Sequence, residues 1–265
     1  MIHLKSILLL LNLSAMRLLF TLALWTLTIF STFGQEKIRK QKVIFLNQHF
    51  YEISGKNLEE RAFQKKENTL KSGEKVYWIF DLENRMVEQR KVGYNPTEQF
   101  NQEIREEFDE NNVLKSQTVK NLDNGRYMTI YLENGEKVGQ VTFHGDQTYS
   151  LWRKGLDSEQ MLNRDEFKPG LDQDQMMSLF AKNLNYPMSA RMSRETGTVE
   201  IALLISETGE LLQTEVANAY QINKKLAKEA LRVVKLYQGP FYPALDSEGK
   251  PKQAWMYIPV RFRLG

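Results

Sequence analysis

The chain has 265 residues, of which 42% are apolar and 26% charged, a globular balance that excludes a disordered or fibrous chain and fits one or two packed domains. Its 36 basic and 33 acidic residues leave a net charge of +3, so there is no electrostatic footprint for nucleic acid and no such partner is expected. The absence of cysteine excludes disulfides, thiol catalysis, cysteine zinc sites and an N-terminal lipid on cysteine, and is silent on compartment.

From Ile7 to Phe33 the only charge is Arg17. If translation starts at Met16, then Met16-Arg17 is a basic start, Leu18 to Phe30 an apolar run, and Thr32-Phe33-Gly34 a small-residue cleavage region, which together make an export signal. If it starts at Met1, the stretch exceeds the roughly 20 residues that span a bilayer. Arg17 would then sit near its middle, at a cost of about 3 kcal/mol. Residues 1–34 are therefore read as a signal peptide or an inner-membrane anchor, ahead of a buried helix, and either of the first two places the remainder in the periplasm.

Residues 35–153 read as a β-rich domain. Glu36 to Lys42 is a charged entry, Val43 to Ile53 and Lys75 to Phe80 are predicted strands, and the polar stretch Lys56 to Lys71 between them reads as turn. Three hairpin signatures follow, at Trp78 to Asn84, Glu107 to Val113 and Ile130 to Val138. In each an aromatic or apolar strand runs into an acidic, asparagine-rich turn, and Asn134-Gly135 has the chemistry of a type I′ turn. An antiparallel β-meander is expected. Phe100, Ile104 and Phe108 stand at helical spacing, so Asn95 to Glu107 is predicted to be a short helix whose acidic cluster forms a solvated face. Residues 154–174 are polar, with Pro169-Gly170 as punctuation, and read as a linker.

Residues 175–265 read as a small α+β unit. Asp172 or Asp174 can cap a helix with Met177, Phe180 and Leu184 on one stripe, and Pro187 turns the chain before one more helical turn at Met188 to Met192. Val199, Ile201, Leu203 and Ile205 alternate as a strand, Thr208-Gly209 turns it, and Leu212, Thr214 and Val216 return. Asn223 caps a helix that buries Leu226, Ala230, Val233 or Val234, and Tyr237. The last strand sets Ala254, Met256, Ile258, Val260, Phe262 and Leu264 against Trp255, Tyr257, Pro259, Arg261 and Arg263. Because proline cannot donate to a ladder, Pro259 makes this an edge strand. An open edge accepts an added strand. The competing reading is that Pro259, Arg261 and Arg263 simply close the edge against aggregation.

The succession Tyr186-Pro187-x-x-Ala190-Arg191, Gly197-Thr198-Val199, Thr208-Gly209, Glu229-Ala230-Leu231-Arg232, Phe241-Tyr242-Pro243-Ala244, Gly249-Lys250-Pro251 and Pro259-Val260-Arg261-Phe262 resembles the C-terminal domain of the TonB family of periplasmic energy transducers. The resemblance implies binding to an extended segment, the TonB box, of TonB-dependent outer-membrane transporters. It places the partner-binding residues at Tyr186, Pro187, Trp255, Met256, Tyr257, Ile258, Pro259, Val260, Arg261, Phe262 and Arg263, with Tyr186 taken alone read as core ahead of contact. It also implies an inner-membrane proton-driven motor complex as a partner, and the same edge would admit a homodimer. Three departures stay within the fold: Glu207 in place of an aspartate, Asn223 in place of an acidic cap, and Gln238-Gly239-Pro240 as a longer approach to Phe241. Two others bear on function. Typical members carry a long proline-rich spacer where this chain has a β-domain, and a histidine in the membrane helix that Ile7 to Phe33 lacks, which removes the usual handle for proton coupling.

No enzyme is expected. His3, His49 and His144 form no metal pair, Ser72-Gly73-Glu74-Lys75 and Asn134-Gly135-Glu136-Lys137 are hairpin turns rather than phosphate loops, and no nucleophile elbow occurs. No cofactor or metal is implied. Two functions remain: a TonB-like protein that binds transporter segments by strand addition and takes part in energy-dependent transport, or a non-energising structural or regulatory envelope protein that binds its partner through the meander.

Overall fold

The computed structural model describes residues 38–264. The expected export signal or anchor lies outside them, and among the described residues no helix is long and apolar enough to cross a membrane. Ten strands run in sequence order through one antiparallel sheet: β1 Ile38–Leu46, β2 Phe63–Leu70, β3 Lys75–Asp81, β4 Met86–Asn95, β5 Phe100–Phe108, β6 Leu114–Asn121, β7 Tyr127–Glu133, β8 Glu136–Phe143, β9 Tyr149–Arg153 and β10 Gln160–Leu162. The meander expected from the hairpin signatures is therefore present, and longer than those signatures suggested.

Two stretches differ from their sequence reading. Lys56 to Lys71, expected as turn, contributes β2, and Asn95 to Glu107, expected as a helix, contains the end of β4 and most of β5. A spacing of four, as in Phe100, Ile104 and Phe108, satisfies a strand's period of two as well as a helix's period of 3.6. The polarity of β2 has a related cause. β2, like β4, β5 and β6, makes its main contacts with sheet neighbours alone, so most of its residues stay half exposed and the apolar alternation expected of a one-sided sheet never develops. Charged pairs cross this region instead: Glu88 and Glu107 are register partners, as are Arg90 and Arg105, and Arg105 lies between the two carboxylates. Burial pushes the Glu107 carboxyl up, but Arg105 and the Ser116 hydroxyl hold it below the usual carboxylate range.

One five-residue turn recurs through the molecule. Its first side chain accepts from the N–H groups of the third and fifth residues, as Asp81 does from Glu83 and Arg85, Asp109 from Asn111 and Val113, Ser206 from Thr208 and Glu210, and Asp246 from Glu248 and Lys250. The fourth residue takes a left-handed backbone and is Asn84, Asn112, Gly209 or Gly249, with φ of 62°, 58°, 81° and 81°. These residue types tolerate that conformation. Asn47 opens the same turn, accepting from His49 and Tyr51, but its fourth residue is Phe50 at φ 64°. A bulky residue held there costs about 1–2 kcal/mol. The Phe50 ring stacks on Phe63 at 4.4 Å, which offsets part of the cost.

The C-terminal unit comprises β11 Gly170–Leu171, α1 Gln173–Asn183, α2 Met188–Met192, β12 Gly197–Ile205, β13 Leu211–Val216, α3 Lys224–Val234, β14 Phe241–Tyr242, β15 Ala244–Leu245, β16 Pro251–Lys252 and β17 Ala254–Phe262. Asp172 caps α1 through Gln175 N–H and Asn223 caps α3 through Lys225 N–H. The sheet order is β13-β12-β17. Val199, Ile201, Leu203 and Ile205 of β12 join Leu226, Ala230 and Val234 of α3 and Ile258, Val260 and Phe262 of β17 in one core. Each large side chain buried there contributes about 1.5–3 kcal/mol. On α1 the buried methionine is Met176, while Met177, expected on the apolar stripe, is 67% exposed. The core lies to the Met176, Leu179 and Phe180 side of the helix, a choice that helical periodicity leaves open.

The polar 154–174 stretch is anchored to both halves. β10 pairs with β9, and Phe167 is buried with its ring stacked on Tyr131 at 4.2 Å. A Cβ on Gly139 would come within 2.6 Å of that ring, so the glycine makes the seat. Leu245 N–H donates to Glu166 O, and β11 pairs with β14. Polarity hides this because backbone pairing and a single aromatic side chain supply the anchors.

Candidate functional site

β17 lies at the end of its sheet, as Pro259 required. Its register with β12 sets Glu200 opposite Pro259, Ala202 opposite Tyr257 and Leu204 opposite Trp255. Glu200 N–H donates to Asn218 Oδ1 at 2.9 Å, and Glu200 O accepts from Ala217 N–H at 2.7 Å. Both backbone groups of Glu200 therefore point away from β17, which makes Glu200–Pro259 a non-hydrogen-bonded pair. By alternation, the N–H and C=O groups of Trp255, Tyr257 and Arg261 face the open edge, together with the carbonyl of Pro259. Proline thus removes one donor from the middle of an otherwise complete strand template.

The expected site residues divide accordingly. Ile258, Val260 and Phe262 are buried and Met256 packs against the same core, while their backbone groups are taken up by β12. Tyr257, Pro259, Arg261 and Arg263 are exposed and Trp255 half-buried. Arg261 and Arg263 line a shallow depression of about 470 Å³ with Thr196, Gly197, Thr198, Phe262 and Leu264. The Tyr186 ring meets Phe262 edge-on at 5.5 Å and its hydroxyl donates to Glu195 O, so Tyr186 buttresses the end of β17 from the core side. Pro187 is the N-cap of α2 and adjoins Tyr186 rather than the strand.

The sequence reading missed His49, which it weighed only as a metal ligand. It is 6% exposed and sits over the sheet face opposite the helices, where Glu215, Ala202 and Tyr257 form one row across β13, β12 and β17. Ala202 is fully buried, and its small side chain leaves room for the ring. His49 Nε2 lies 2.6 Å from Glu215 Oε1 and Nδ1 3.1 Å from the Tyr257 hydroxyl. An ionised carboxylate only accepts, so Nε2 donates to it and, in the neutral ring, Nδ1 accepts from tyrosine. Trp255 meets the imidazole edge-on at 4.8 Å. Alongside, Asn47 Nδ2 donates to Ala217 O at 2.7 Å and Gln48 Nε2 to Glu215 at 2.7 Å. Burial, reinforced by the Glu200 and Tyr257 charges, pushes the Tyr51 hydroxyl up to about 12, and burial then Glu215 raise that of Tyr257. The one sequence signal for this contact was a phenylalanine where the turn elsewhere carries asparagine or glycine.

Among the described residues no group of three His, Asp or Glu side chains is placed to hold a metal. What the geometry defines is a small helix-backed α+β domain whose three-stranded sheet, among the described residues, ends in β13 on one side and β17 on the other. Residues 182–264 match the family model of the Gram-negative bacterial TonB protein C-terminal. This segment is a TonB C-terminal domain, of a family of non-enzymatic transport and energy-transducing proteins of the cell envelope. Comparisons with curated proteins and with solved structures give no match.

Proposed function

We propose that this chain is a periplasm-facing, non-enzymatic TonB-like protein that captures an extended segment of TonB-dependent outer-membrane transporters by strand addition to β17. The observation that carries the reading is the outward set of backbone groups at Trp255, Tyr257 and Arg261 on an edge that, among the described residues, no other strand covers. Main-chain hydrogen bonds supply affinity in this mode, and the side chains lining the edge supply selectivity. The positive charge of Arg261 and Arg263 at one end favours a segment with an acidic residue there.

The test is a titration of isotope-labelled protein with a synthetic peptide copying the N-terminal periplasmic segment of such a transporter. Amide shifts are expected at Trp255, Tyr257 and Arg261, and silence on β17 overturns the reading. The same spectra recorded against protein concentration separate peptide capture from self-pairing of the edge. Energy transfer from an inner-membrane motor belongs to this function only with a retained N-terminal anchor, so a mature chain beginning near Gln35 assigns the protein to the non-energising envelope role instead.

A further inference from the structure

The Asn47–Tyr51 turn departs from its counterparts in two ways at once. Its fourth position holds a phenylalanine at φ 64° where the other turns of this type place asparagine or glycine, and its first three side chains all reach the C-terminal sheet. Strained positions persist where the surrounding structure over-determines them, and they concentrate at functional contacts. Here the contact is made to the two aromatic residues, Trp255 and Tyr257, whose backbone groups face the open edge.

We propose that His49 is a positioning residue for peptide capture: seated over Ala202 between Glu215 and Tyr257, it ties the meander to β17 and holds the edge strand in its binding-ready geometry. This rests on the peptide-capture reading. The turn touches side chains and the far face of the sheet, namely Ala217 O, the Glu215 carboxylate, the Tyr257 hydroxyl and the Trp255 ring. It therefore leaves the edge's donors and acceptors free. An edge strand is joined to its sheet on one side only and is otherwise free to fray. Pinning Trp255 and Tyr257 through His49 to Glu215 on the far strand, β13, orders it before the ligand arrives. Ordering completed beforehand lowers the cost of binding, and the coupling is reciprocal, so a bound peptide tightens the seat of the turn.

The experiment uses the full mature chain and the transporter-derived peptide named above. His49→Ala is expected to weaken peptide binding by about tenfold, within the span that coupled sites commonly show. Without peptide it is expected to speed amide exchange at Met256 and Ile258, whose N–H groups face β12. Ala202→Leu fills the seat from the sheet side, leaves every polar group of the turn intact, and should reproduce both effects if His49→Ala fails to fold. His49→Gln keeps a donor for Glu215 and an acceptor for Tyr257 and should restore affinity, which loss of bulk packing alone would not allow. Equal affinities in wild type, His49→Ala and Ala202→Leu, or unchanged exchange at Met256 and Ile258, overturn the positioning role while leaving peptide capture standing. A wild-type chain that does not bind the peptide overturns the capture reading itself and the positioning role with it.

Discussion

In the C-terminal domain Val199, Ile201, Leu203 and Ile205 are fully buried beneath α3, and a single cluster draws on both long strands and all three helices. In the meander the buried clusters are small and separate, Ile44 with Leu46 and Ile79 towards one edge and Val141 with Leu151 and Phe167 towards the other. The strands between them carry Glu88, Arg90, Arg105 and Glu107 in register. A two-layer domain concentrates its stability in a few positions, whereas a single-layer sheet distributes it over cross-strand pairs worth about 0.2–1 kcal/mol each. The two halves should therefore respond very differently to the same kind of substitution.

The largest expected effect is Leu203→Ala, at about 3 kcal/mol by denaturant unfolding, because the site is fully closed and leaves a cavity. The matching truncation Ile130→Ala on a half-buried meander strand should cost about 1 kcal/mol. Equal losses would break the contrast between the halves. Next comes Gly139→Ala, whose new methyl meets Phe167 at 2.6 Å; overpacking of this kind costs about 1–3 kcal/mol. Faster amide exchange at Phe167 and Leu245 would show that the 163–168 segment has lifted from the meander, and an unchanged melt would sink the idea that it is anchored there. The smallest effect, under about 1 kcal/mol, is expected for Glu106→Gln. Burial raises the Glu106 carboxyl, only partly opposed by the Gln117 amide that donates to it at 2.7 Å. The folded chain thus holds this proton more tightly than the unfolded one. Its stabilising effect is complete below the unfolded carboxylate range and disappears as pH rises through the folded value. The variant should be the more stable at neutral pH and lose that advantage on acidification, and melts at two pH values measure it.

Much of the C-terminal domain was legible because its apolar residues recur with the period of the element they build. Val199 to Ile205 could only be a strand buried on one face, Asn223 stood where a helix needs a cap, and Pro259 demanded an edge. The meander was legible at its turns, where Asn84, Asn112 and Asn134-Gly135 supply left-handed backbone, and illegible in β2 and β5. A sheet covered on neither face imposes no one-sided alternation, and a spacing of four suits strand and helix alike.

The sequence by itself determined the α+β class, the hairpins, the helix caps and the edge position of the last strand, because each of these depends on interactions within a few residues or on a single residue's missing donor. Only the tertiary structure decided which face of α1 is buried, that Phe167 fastens the polar 154–174 stretch beneath Gly139, and that His49 sits over Ala202 against Tyr257. Those facts join residues as far apart as 49 and 257, and proximity across such distances comes from how two sheets dock, which no local pattern records.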